Sequence, residues 1–146
     1  MHLYARRIVL AVSAAGLATV AVSWQPSQAV RAQSNSGPAS NSPEFYTQRV
    51  QPIFANNCYR CHGGMNHRGG LNIDTRESLL KGGHTGPAIV PGDPSKSLLV
   101  TLIRHEGPAS DPMPMPPKGD KLSDADIATV TAWIKAGAVM PAAPAQ

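Results

Sequence analysis

The chain has 146 residues, 42% of them hydrophobic but only 5% aromatic, with 14 prolines, 13 glycines and 2 cysteines. This suffices for a leader and one domain of about a hundred residues with a thin polypeptide core. The formal charge of +4 is concentrated at the start: residues 1–32 hold Arg6, Arg7 and Arg31 and no acid, leaving 10 basic against 9 acidic side chains, too even a balance for nucleic-acid binding.

Arg6 and Arg7 precede an apolar run from Ile8 to Val22, followed by the small-residue stretches Ser27-Gln28-Ala29 and Val30-Arg31-Ala32. This is the pattern of a secretory signal peptide over 1–32. The same run is marginally short for a membrane span, so an uncleaved N-terminal anchor is the alternative. Residues 33–43 are mainly Ser, Asn, Gly, Pro, Ala and Gln. They lack apolar periodicity and read as a flexible linker. The folded domain is expected over 44–140, with a disordered tail at 141–146.

Ser42 can cap a first helix with Pro43 at its first position and Glu44 at the positive end of the dipole. Tyr46, Val50, Ile53 and Phe54 continue it at helical spacing, and Pro52 predicts a kink or restart. Cys58-Tyr59-Arg60-Cys61-His62 follows and uses every cysteine in the chain. Two thiols three residues apart and an adjacent imidazole can bond both vinyl groups of a haem and ligate its iron, so the pattern reads as covalent attachment of one haem c.

Three rivals fit less well. Zinc needs four ligands, and His67, His84 and His105 lack paired ligand spacing. A thiol–disulfide centre would sit at a helix start in a strand–helix–strand pattern, which the sequence lacks. A structural disulfide would close only a tiny loop. None accounts for His62 following Cys61.

Beyond His62 come Gly63, Gly64, Gly69 and Gly70, an extended piece at Leu71 and Ile73, and a short helix begun by Asp74 or Thr75 and closed by Gly82 and Gly83. Asp93-Pro94 opens another helix, whose buried face is Leu98, Leu99, Leu102 and Ile103, ending near Arg104 or His105. The segment Asp111-Pro112-Met113-Pro114-Met115-Pro116-Pro117 places two thioethers on an extended backbone poor in donors. Met65 is too near His62 to reach the opposite face of an iron it ligates. Met140 lies beyond the last helix, and Met1 belongs to the leader. The spacing leaves Met113 and Met115 as distal candidates; Pro116 and Pro117 favour Met115, although Pro114 restrains Met113 in the same way. The final helix has Ser123 as cap, Asp126 as capping-box partner, Ile127, Val130, Thr131 and Ile134 on one face, and Gly137 as stop. Trp133 lies beside that stripe, against haem or in the core.

The order Val50-Gln51-Pro52-Ile53-Phe54, Cys58-Tyr59-Arg60-Cys61-His62, Gly69-Gly70-Leu71, Lys81-Gly82-Gly83, Ile89-Val90-Pro91-Gly92, Ser97-Leu98-Leu99, Met115-Pro116-Pro117, Leu122-Ser123 and Trp133 to Ala138 resembles the planctomycete-type cytochrome c domain over Phe45 to Met140. The resemblance implies that Met115, the first Met of Met-Pro-Pro, is the distal ligand, with Met113 as the fallback.

The expected fold is therefore all-α: a small cytochrome c-like helical fold around one covalently bound haem, with long Gly/Pro-rich loops. The expected site comprises Cys58 and Cys61 as thioethers, His62 as proximal and Met115 as distal iron ligand. A closed coordination shell implies outer-sphere electron transfer rather than catalysis. The alternative is a haem enzyme or gas or redox sensor with an open or displaceable sixth position. Redox partner proteins are the expected partners of a monomer in the periplasm or another exported location, with membrane association only through an uncleaved N-terminus. Arg68, Arg104, Lys118 and Lys121 are open candidates for pairing with the haem carboxylates.

Overall fold

Helical caps and prolines set the order of elements in this computed structural model, which describes residues 37–110 and 112–142. The expected leader over 1–32, most of the linker's first half and the end of the tail lie outside the described residues. Six α-helices appear among the described residues: α1 (Pro43–Phe45), α2 (Gln51–Asn57), α3 (Tyr59–His62), α4 (Arg76–Lys81), α5 (Leu98–Ile103) and α6 (Asp124–Lys135). No strand occurs among the described residues, and Gly83 and Gly86 form an isolated bridge. The architecture is compatible with the all-α expectation.

Ser42 starts α1 by accepting the Phe45 N–H on its hydroxyl at 3.2 Å. A π turn over Tyr46–Val50 then leads directly into α2, with the Gln51 N–H donating to the Tyr46 carbonyl. Pro52 falls in the first turn of α2, where its missing N–H leaves no helical bond unmade. The expected interruption is thus a widened turn just before the proline.

The expected helix after Asp93 is divided. Asp93 caps a single 3₁₀ turn, Pro94–Lys96, and α5 starts anew after Ser97. Ser97 is fully buried, and its hydroxyl accepts the Val90 N–H at 2.9 Å while lying 2.9 Å from the Asp93 carbonyl as a donor. This local competition for backbone groups keeps Ser97 extended and separates the two turns.

Two other helices follow their caps closely. Thr75 caps α4 by accepting the Ser78 N–H at 3.1 Å, and Gly82 ends it at φ 72°. Ser123 caps α6 by accepting the Asp126 N–H at 3.1 Å, and its hydroxyl also donates to the Asp126 carboxylate at 2.8 Å. Arg76 reaches from α4 to the chain beyond α6, donating from Nε to the Ala138 carbonyl at 3.0 Å and from Nη2 to that of Gly137 at 3.2 Å.

The core sits where α6 meets the π turn and α2. Trp133 is fully buried, with its ring centroid 5.5 Å from Tyr46 and 5.9 Å from Phe54, the latter edge to face. Its Nε1–H donates to the Val139 carbonyl at 2.8 Å, so the polar end of the indole is satisfied inside the core. Trp133 is therefore a core residue, the second of the two roles open to it.

Candidate cofactor site

Cys58 ends α2 and caps α3, with φ −124° and ψ −42°, and this break turns the chain so that Cys61 and His62 follow within one helical turn. The Cys61 and His62 N–H groups both donate to the Cys58 carbonyl at 3.0 Å, and the His62 carbonyl accepts the Ile73 N–H at 3.0 Å. Gly63 allows the tight exit: a Cβ there would lie 2.8 Å from the Tyr59 ring. Asp74 holds the following bend by accepting the Gly64 N–H at 2.9 Å.

Cys58, Cys61 and His62 line a cavity of about 340 Å³ whose wall is otherwise mostly apolar, including Phe54, Leu71, Leu99 and Leu102. Met113 and Met115 line the same cavity. The Met115 N–H donates to the Leu102 carbonyl at 3.0 Å, which ties the proline-rich loop to the end of α5. Met115 is half-buried, whereas Met113 is 47% exposed. Met65 is 97% exposed and lies outside the cavity lining, and Met140 packs against the core.

The electrostatics suit neutral ligands. Burial holds the His62 imidazole below its usual range, opposed by the backbone carbonyls of Leu71 and Arg68. A neutral imidazole is the form that ligates metal. Its Nδ1 is buried without a hydrogen-bond partner, so no protein contact commits that nitrogen elsewhere. Burial, reinforced by the neighbouring Cys61, pushes the Cys58 thiol up to about 11. That is opposite to the activated thiolate of a thiol–disulfide centre.

The residues fit a haem c. Two free thiols and an adjacent imidazole open on a hydrophobic cavity that also contains thioether sulfur. They do not resemble a zinc site, since no group of three His, Cys, Asp or Glu among the described residues could hold a metal ion. Of the other histidines, His84 lines the cavity; His67 and His105 do not, and His67 lies 2.8 Å from the Gly64 carbonyl and 2.7 Å from the Asn72 amide.

The helical architecture, the Cys58-Tyr59-Arg60-Cys61-His62 motif and the cavity are compatible with a small cytochrome c-like domain. Residues 58–119 match the family model described as Planctomycete cytochrome C, the family that the motifs resemble, and such a domain implies haem c as cofactor. The match spans the attachment motif through the methionine loop and stops before α6, a shorter stretch than the resemblance covers. Neither the curated proteins nor the solved structures compared with the chain gave a significant match.

Sequence reasoning did not assign two structural contributors around the site. Ser97 anchors the chain before α5, and His84 joins the cavity wall through the meeting of two glycine-rich turns. The bracketing of His84 by Gly83 and Gly86 signals a turn, but not which distant loop that turn will meet.

Proposed function

We propose that the protein is an exported monohaem c-type cytochrome that exchanges single electrons with redox partner proteins by outer-sphere transfer. Cys58 and Cys61 hold the cofactor through thioether bonds, His62 is the proximal ligand, and Met115 is the distal ligand. The observation carrying this reading is the convergence of Cys58, Cys61, His62 and Met115 on one mainly apolar cavity. Bound haem c would supply a one-electron couple at iron, with His/Met ligation raising its potential.

Met115 is preferred to Met113 because its side chain is more buried and its backbone is held by Leu102. A sulfur on an anchored, proline-flanked residue loses less conformational freedom when fixed at a metal than one on a loose loop. Export is supported by the sequence of residues 1–32 and by the presence of a cytochrome c domain. An uncleaved leader would instead hold the same carrier at the membrane.

The test is expression in a host competent in cytochrome c maturation, followed by a haem-stained denaturing gel and visible spectra of both redox states. Covalent haem and a six-coordinate reduced spectrum are expected. Met115→Ala should lower the midpoint potential and admit carbon monoxide, while Met113→Ala should leave both nearly unchanged. The reverse pattern would assign the distal position to Met113. Carbon monoxide binding and peroxide turnover by the unmodified protein would replace the carrier reading with the enzyme or sensor alternative, and protein lacking covalent haem would overturn the proposal.

A further inference from the structure

The structure assigns Arg68 and His84 as the cationic and hydrogen-bonding pair that receives the two carboxylates of haem, an inference that rests on the proposed function. Two glycine-rich turns are pressed together to create this pair. The His84 N–H donates to the Gly69 carbonyl at 2.8 Å, and a Cβ on Gly83 would lie only 2.4 Å from that same oxygen. Gly70, at φ 74°, faces the imidazole so closely that a Cβ there would lie 2.7 Å from His84 Cδ2 and 2.8 Å from Nε2. The crossing brings Arg68 and His84 to one cavity.

The other basic candidates are placed differently. Arg104 lies 3.8 Å from Glu106, Lys121 pairs with Asp124, and neither they nor Lys118 line the cavity. Arg68 forms no salt bridge among the described residues. Apart from the attachment cysteines and His62, Arg68 and His84 are the ionisable side chains lining a largely apolar cavity. A macrocycle bonded through its vinyl groups at Cys58 and Cys61 still has two carboxylates, and a guanidinium and an imidazole can meet them through charge-assisted hydrogen bonds.

The test uses the full holoprotein matured with haem labelled with ¹³C at its carboxylates. It reads the labelled carboxylate bands in the infrared redox difference spectrum together with the midpoint potential. Arg68→Gln and His84→Gln should each shift a labelled band. Arg68→Gln should also lower the potential, because loss of a neighbouring cation favours the ferric state, while Arg104→Gln should move neither readout. A lower potential with unmoved labelled bands would show action through charge alone and overturn the assignment. If Arg68→Gln fails to retain haem, Arg68→Lys should recover attachment and a band close to that of the parent; failure to recover would also overturn it. Absence of covalent haem from the parent protein would reject the proposed function itself, whereas parent haem with bands unmoved in both Gln variants would reject only this pairing.

Discussion

Phe54 separates two regions that are built differently. One side of the ring meets Trp133 in a cluster of fully or almost fully buried aromatic residues held by α6, α2 and the π turn. The same residue also lines the cavity, whose other walls come largely from glycine turns, α5 and a proline-rich loop. In the first region, polypeptide fills the space and satisfies the indole N–H. In the second, loops with restricted backbones shape an apolar surface around reactive sulfur and nitrogen. The contrast is between a frame closed by its own buried side chains and a wall that lines an open apolar cavity.

The largest effect should come from removing the attachment chemistry. Cys58→Ala combined with Cys61→Ala should abolish haem staining after denaturing electrophoresis and lower the thermal midpoint measured by circular dichroism. Loss of staining with unchanged melting would mean that the cavity wall is as self-supporting as the Trp133 cluster. On the other side of Phe54, Trp133→Ala should destabilise the holoprotein by about 3–5 kcal/mol in chemical unfolding, the usual range for a buried large aromatic. Covalent haem should be retained in that variant. A loss below about 1 kcal/mol would remove the cluster's claim to be the frame.

A smaller effect sharpens the comparison at an exposed turn. Hydrogen bonds from Ser95, then Lys96, hold the Asp93 carboxyl down at about 2, against an unperturbed value of 3.8. Because the folded-state value is depressed, the associated stability is present above about 3.8 and disappears as the pH falls through about 2. Asp93→Asn should flatten that part of the stability profile and modestly lower stability at neutral pH, where the charged carboxylate contributes. An unchanged acid profile in the variant would show that the carboxylate does not stabilise this turn.

Local chemistry made much of the frame legible. Ser42, Thr75 and Ser123 cap the helices expected of them, and Gly82 ends α4 in a positive-φ conformation. The π turn before Pro52 was less accessible, because apolar spacing at Tyr46, Val50 and Phe54 is compatible with either helical register. Ser97 looked like an ordinary helix residue since its competing partners, Val90 and Asp93, matter only after the intervening chain turns back. At the site, the dense local pattern at Cys58, Cys61 and His62 is legible in the sequence, and the structure brings these residues, Met113 and Met115 to one cavity. His84 was harder to place because its position depends on a crossing with Gly69 and Gly70, a tertiary contact with no sequence period.

The burial of Trp133 against Phe54 also gives the molecule an intrinsic optical gauge. Of its 2 tryptophans, Trp24 falls in the leader stretch, so a processed chain would carry a single indole fluorophore in its core. That fluorophore touches the aromatic ring that also forms part of the cavity wall. Haem absorbs where tryptophan emits, so resonance energy transfer should leave the folded holoprotein dim. Unfolding with the thioethers intact would separate donor from acceptor and brighten the signal, whereas proteolytic release of the haem peptide would make that gain permanent.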